Sequence, residues 1–283
     1  MQYFTLNTPH GLIPLKSPVV MGIINCTPDS FVASSRSVYI DEIVEKAGKM
    51  IEVGATIIDL GGMSTRPGAV AVDEAEEMER VIPSVKSIRK AFPDIFISID
   101  TYRSGVAKEA IQHGADIIND ISAGSFDPEI IQVAAKYQVP YVLMHMQGEP
   151  STMQQNPVYS DVVHDIMHWL SIKINEIKSA GVHEIIIDPG FGFGKLIQHN
   201  YQLLHALSLM NETFQLPVLA GVSRKRMICE LLKVKPEQAL NGTVVAQTIA
   251  LLNGASILRV HDVKEAVEAI QIVEAYQHFN SNR

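Results

Sequence analysis

Eight short apolar runs, helical patterns between them and a nearly constant repeat length predict an α/β fold, a (β/α)8 TIM barrel preceded by a short β-hairpin. The runs cover 19–25, 56–60, 95–100, 116–119, 141–145, 184–188, 217–222 and 256–260. They are apolar throughout, as strands covered on both faces are, rather than alternating between apolar and polar residues. Asn25 and Arg259, which close the first and eighth runs, lie 234 positions apart. That is about 33 residues per unit, which suits a barrel of ~250 residues. No composition break divides the chain, so one domain over 1–283 is expected. A doubly wound open sheet is the rival, but the chain carries no dinucleotide fingerprint.

The hairpin comes first. Residues 3–6 and 11–15 flank the turn-forming Asn7-Thr8-Pro9-His10. Ile40, Ile43, Val44, Ala47, Met50 and Ile51 then follow the helical period, as do Val263, Val267, Ile270 and Val273 near the C-terminus. Asp73-Glu74-Ala75-Glu76-Glu77 sets acids at the positive end of another helix. Gly54, Gly114 and Gly181 fall where three helices should stop.

With 47% hydrophobic and 19% charged residues, the composition is that of a folded globular chain and excludes disorder or a disulfide scaffold. The net charge of −8 gives no basic footprint for nucleic acid. An anionic ligand therefore needs a local cluster of positive groups. Cys26 and Cys229 form no paired motif, no run approaches a membrane span, and the first residues do not read as a signal peptide. The expected setting is the cytoplasm, without membrane contact.

A barrel of this kind carries its chemistry at the C-terminal ends of its strands. Those ends read Asn25, Asp59, Asp100, Asn119, His145, Asp188, then Ser223-Arg224-Lys225, then Arg259-Val260-His261-Asp262. Strand ends turn polar in any fold, which accounts for about half of these residues. It accounts less well for Asp100, Asn119 and Asp188 converging with Lys225. Carboxylates, an amide and one ammonium suit a flat heterocycle that offers both N–H donors and a carbonyl.

Two long loops, 25–31 with the polar stretch behind it and 61–68, are candidates for lids. Gly190-Phe191-Gly192-Phe193-Gly194-Lys195 matches neither the dinucleotide nor the Walker spacing, so its glycines are read as a close backbone approach or a sharp turn. His164-Asp165-Ile166-Met167-His168 resembles a zinc helix, but it falls within an outer helix expected over 158–179 and is read as surface. Trp169 beside it is read as packing.

Seven motifs, in order along the chain, resemble the dihydropteroate synthase family. They are Met21-Gly22-Ile23-Ile24-Asn25-Cys26-Thr27-Pro28-Asp29-Ser30-Phe31, Gly61-Gly62-Met63-Ser64-Thr65-Arg66-Pro67-Gly68, Ile99-Asp100-Thr101, Ile118-Asn119-Asp120, Asp188-Pro189-Gly190-Phe191-Gly192-Phe193-Gly194-Lys195, Ser223-Arg224-Lys225 and Arg259-Val260-His261-Asp262. The resemblance implies a homodimeric barrel that joins 6-hydroxymethyl-7,8-dihydropterin diphosphate to p-aminobenzoate with Mg2+, releasing pyrophosphate on the route to folate, and that is a sulfonamide target. It implies that Asp100, Asn119, Asp188 and Lys225 hold the pterin. Asn25, Arg259 and His261 would bind the diphosphate, with Asn25 on the Mg2+. Thr65, Arg66, Pro67, Phe31 and Phe193 would shape the p-aminobenzoate pocket, with Ser223 at the start of the following helix to receive a carboxylate. Arg259, His261, Lys225 and Asp100 would carry the catalysis.

Three departures accompany the resemblance. Met63 stands where many family members have Glu, residues 32–37 lack the expected glycines, and Arg226 replaces a common small Ser. The chemistry implied is an SN1-like displacement at a CH2 group. Two other readings share the pocket: a pterin-dependent methyltransferase domain serving a corrinoid protein, and a non-catalytic pterin-binding module.

Overall fold

The computed structural model describes residues 3–27, 36–63, 72–148, 153 and 157–281. Strands β1 (Phe4–Thr8) and β2 (Gly11–Leu15) form the antiparallel hairpin. The barrel strands are β3 (Val19–Asn25), β4 (Ile57–Gly61), β5 (Phe96–Asp100), β6 (Ile117–Asp120), β7 (Tyr141–Met144), β8 (Ile185–Asp188), β9 (Leu219–Ala220) and β10 (Ile257–Val260). Each falls on an apolar run of the sequence, and neighbours pair in parallel in the order β8-β7-β6-β5-β4-β3-β10-β9. The seam between β8 and β9 is joined by the bridge from Ile187 to Val218. Only two residues of the 217–222 run are extended enough to form β9, since pairing at the seam is confined to that bridge and to β10.

The outer helices are α1 (Arg36–Glu52), α2 (Glu74–Ala91), α3 (Ser104–Gln112), α4 (Glu129–Tyr137) and α5 (Val162–Ser179). After β8 come α6 (Ile197–His205) and α7 (Leu207–Phe214), then α8 (Arg226–Leu232), α9 (Leu240–Leu252) and α10 (Val263–Ser281). Asp73 caps α2 by accepting the Glu76 N–H at 2.8 Å. Helix α5 begins later than position 158 because Asp161 caps it, accepting from the Val163 and His164 N–H groups. The three expected stop glycines all sit just past helix ends with left-handed backbone. His164 and His168 are exposed on α5, as a surface reading requires, and Trp169 packs edge-on against the His145 ring at 4.9 Å.

Side chains of a strand alternate between two faces, and here the alternation separates two cores. Outward residues such as Ile58, Ile97, Ile118, Leu143 and Leu258 pack under the helices. Inward residues Met21, Ile57, Ile117, Val142, Ile186, Leu219 and Ile257 form one apolar layer with Leu6, Ile13 and Leu15 of the hairpin. The hairpin therefore plugs the N-terminal end of the barrel, and each buried aliphatic side chain in that plug contributes about 2 kcal/mol. Two residues further along β4, β6, β8 and β10, the inward positions turn polar.

A fully buried carboxylate ties the plug to the wall. Asp116 accepts from Arg89 Nη2 at 2.6 Å and from the Ile97 N–H at 2.8 Å, and its other oxygen meets His10 Nδ1 at 2.7 Å. Asp116→Asn is expected to lower unfolding free energy by about 2 kcal/mol, since it removes the charge that Arg89 faces inside the protein. Urea unfolding measures the loss. Turnover per folded molecule should hold, because this end of the barrel lies away from the chemistry.

Candidate active site

The polar inward layer consists of Asp59 from β4, Asn119 from β6, Asp188 from β8 and Arg259 from β10, with Asp100 one step higher on β5. Asp59, Asn119 and Asp188 are buried, and all of these groups stand directly on the apolar plug. A cavity there is lined by Asp100, Asn119, Asp188, Phe191, Phe193, Lys225 and Arg259. Every residue that the sequence assigned to the pterin thus reaches one space.

Arg259 spans this layer. Its Nε donates to Asp59 Oδ2 at 2.6 Å, and its Nη2 donates to Asp100 Oδ2. Asp262, the acid nearest to Arg259 along the chain, is taken by Arg224, which forks onto both its oxygens at 2.8 and 2.7 Å. Burial pushes the Asp100 carboxyl up to about 7, against the pull of the Arg259 charge. Burial likewise brings the Lys225 ammonium down to about 8, with Arg259 adding to the effect. Desolvation opposes the charge on Arg259 too, but Asp59 and Asp100 outweigh it and hold the guanidinium protonated. A small, water-poor site with three carboxylates and two cations is costly to keep unfilled, and a ligand with both donor and acceptor edges relieves that cost.

Asp188 is oriented by the Gly190 N–H, which donates to Oδ1 at 2.7 Å. Burial raises its carboxyl while that bond and Lys225 lower it. The ammonium of Lys225 lies 4.4 Å from the centre of the Phe193 ring, a cation–π contact. Phe193 therefore borders the pterin side of the cavity. Lys195, unassigned by the sequence, is buried and donates to the carbonyls of Gly190 at 2.8 Å, Phe193 at 2.9 Å and His145 at 3.2 Å. This staple explains the glycine run. A Cβ on Gly190 would lie 1.9 Å from the His145 carbonyl oxygen, at a φ of +71. Gly190→Ala is expected to cost at least about 2 kcal/mol, seen as a fall in melting temperature, because both the contact and the left-handed backbone resist a side chain.

The rim is supplied by three further residues. Ser223 Oγ lies 3.0 Å from His261 Nδ1 and also accepts the His261 backbone N–H at 3.3 Å. Ser223 thus orients the His261 ring and does not open the next helix. Helix α8 starts at Arg226, with Lys225 as its cap residue. Arg226 turns outward to Glu230, one turn along α8. Asn25 ends β3 beside Gly61 and is exposed. Phe31, Thr65, Arg66 and Pro67 lie outside the described residues.

Asp59, bonded to Asn119 and Arg259, is marked in the sequence only as a strand end. Its signal was a carboxylate inside an apolar run. Because both faces of these strands are apolar, the sequence gives no indication of which way it points.

Fold and site together define a barrel enzyme class that holds a flat, donor-rich heterocycle against a cationic rim. The model of the pterin binding enzyme family matches residues 21–261. The dihydropteroate synthase of Escherichia coli K12 is 45% identical over 273 residues, covering 96% of each chain. The Yersinia pestis dihydropteroate synthase, solved as a sulfonamide drug complex, superposes with a TM-score of 0.91 at 44% identity, over 97% of this chain and 100% of that one. The Xanthomonas albilineans dihydropteroate synthase with 4-aminobenzoic acid gives a TM-score of 0.88 at 40% identity, over 96% and 98%. The chain belongs to the pterin-binding enzyme family, within its dihydropteroate synthase branch.

Proposed function

We propose that the chain joins 6-hydroxymethyl-7,8-dihydropterin diphosphate to p-aminobenzoate, giving 7,8-dihydropteroate and pyrophosphate. The observation that carries this reading is the cavity lined by buried Asn119 and Asp188, half-buried Asp100 and Lys225, and Arg259. The carboxylates accept from the amino and ring N–H groups of the pterin, and Lys225 donates to its carbonyl edge. Arg259 and His261 face the diphosphate from the rim.

The bond between the pterin CH2 and the diphosphate oxygen breaks, and its electron pair leaves with pyrophosphate. The pterin ring nitrogens spread the positive charge left on the CH2. The neutral aniline nitrogen then forms the new C–N bond and gives up a proton, so no strong base is required. Arg259 and His261 stabilise the departing charge, and closure against water protects the cation. The p-aminobenzoate side is assigned to Thr65, Arg66, Pro67 and Phe31 by resemblance, with Phe193 between the two substrates.

Among the described residues no group of three or more His, Cys, Asp or Glu is placed to hold a metal. A Mg2+ bound with the substrate would take most of its oxygens from water and diphosphate and need one or two protein ligands. Asn25, exposed at the rim, is the residue to supply one. The ion would neutralise charge on the leaving group.

Homodimerisation is part of the same proposal. Leu232 of α8, Val245, Ile249 and Leu252 of α9, and Ile272 of α10 leave apolar side chains exposed on adjoining helices. A second copy covering that face would bury them, and sedimentation should give the mass of two chains. No described helix is long and apolar enough to cross a membrane. We place the protein in the cytoplasm, as one barrel domain over 1–283.

A coupled assay for pyrophosphate release tests the function. Release that requires both the pterin diphosphate and p-aminobenzoate supports it. Pterin binding without release would favour the methyltransferase or non-catalytic reading.

A further inference from the structure

Asp59 is fully buried and is not among the residues that line the cavity, yet it contacts a residue from each half of the site. Asn119 Nδ2 lies 3.3 Å from its Oδ1 and 3.2 Å from its Oδ2, and Arg259 Nε donates to Oδ2 at 2.6 Å. An ionised carboxylate only accepts hydrogen bonds. The side of the Asn119 amide that faces Asp59 must therefore be its NH2 group, and its carbonyl oxygen is turned the other way, to the cavity that Asn119 lines. The same carboxylate fixes the Nε edge of Arg259, which sets the plane of the guanidinium at the rim.

We infer that Asp59 is a positioning residue that makes Asn119 an acceptor towards the pterin and ties that choice to the placing of Arg259 on the diphosphate. The inference rests on the pterin reading given above. Its consequence is specificity: a heterocycle offering an N–H at this point is accepted, and one offering a lone pair is refused. An unanchored amide would rotate to suit either. Because one carboxylate serves both halves, a change at Asp59 reaches the base and the anion together.

The test is calorimetry with two separate probes, 6-hydroxymethylpterin and inorganic pyrophosphate with Mg2+. Asp59→Asn should weaken both by about tenfold or more, although residue 59 does not line the cavity. Asn119→Asp keeps an acceptor towards the cavity but loses the donor to Asp59, and it should also weaken the pterin by about tenfold. The double variant D59N/N119D restores the pair with its roles exchanged. The new amide donates to the new carboxylate, and its carbonyl oxygen still accepts from Arg259. Pterin affinity should recover most of the loss, which a merely structural defect would not do.

Wild-type affinities in Asp59→Asn, or a double variant no tighter than the single ones, overturn the inference. Should Asp59→Asn fail to fold, Asn119→Asp alone decides, and unaltered pterin affinity there overturns it. Failure of the unaltered chain to bind the pterin would sink the proposed function as well, so the two failures are distinguishable.

Discussion

Arg259→Ala is expected to lower turnover by about a hundredfold to a thousandfold while lowering affinity for a diphosphate-free pterin far less. Arg259 ends β10 with its guanidinium held by two carboxylates, so its position is fixed before any charge develops on the leaving group. A preorganised donor of that kind contributes about 3–4 kcal/mol to a transition state, which corresponds to the stated range of rates. The structure adds a second consequence. Removing the guanidinium leaves Asp59 and Asp100 without their shared cation and raises the Asp100 carboxyl above its present value of about 7. A carboxyl whose folded value is raised loses its contribution to stability as pH climbs through that value. The part of the stability gap that is linked to Asp100 should therefore open as pH rises past 7. Turnover is measured per folded molecule beside the two calorimetric titrations. A purely structural Arg259 would reduce stability and both affinities together and leave the rate per folded molecule near that of the parent. That result would remove Arg259 from the chemistry and weaken the role of His261 with it.

Asp188→Ala is expected to abolish measurable pterin binding at ordinary protein concentrations. Asp188 is buried at the end of β8, and its carboxylate is aimed by the Gly190 N–H. Losing a charged acceptor opposite a buried donor pair costs about 2–4 kcal/mol. Alanine also strips the Gly190 N–H of its partner, so Asp188→Asn is the companion variant. It keeps an oxygen for Gly190 but lacks the charge opposite Lys225. Calorimetry with 6-hydroxymethylpterin should rank wild type above Asp188→Asn, and Asp188→Asn above Asp188→Ala. Near-parental affinity in a folded Asp188→Ala would show that the pterin lies elsewhere.

Much of this arrangement is legible in the order of residues. The eight apolar runs fix the strands because only strands buried on both faces read that way, and 7 motifs at their ends carry the resemblance. Helix stops at Gly54, Gly114 and Gly181 are local, set by left-handed backbone that other side chains resist. The capping of α2 by Asp73 is equally local. Such features depend on neighbours within a few positions, which a sequence displays directly.

Pairings across the barrel are another matter. Asp59 and Arg259 are 200 positions apart, whereas Asp262 and the acids of the following helix are the near partners that the chain offers a strand-end arginine. Only the inward alternation of β4, β5 and β10 decides between them, and apolar residues on both faces hide that alternation in the sequence. The same holds for Ser223, which reads as a helix start and is instead bonded to His261 at the end of the neighbouring strand β10. Lys195 ends a glycine run that fits no phosphate-loop spacing, and its role shows only in the tertiary structure, where its ammonium lies among three carbonyls. The barrel, the hairpin before it and the set of groups at the strand ends can be read along the chain, because each follows from local period and composition. The tertiary structure decided which of those groups face one another and which of them merely hold others in place, because hydrogen bonds between distant strands depend on register and facing that no local pattern encodes.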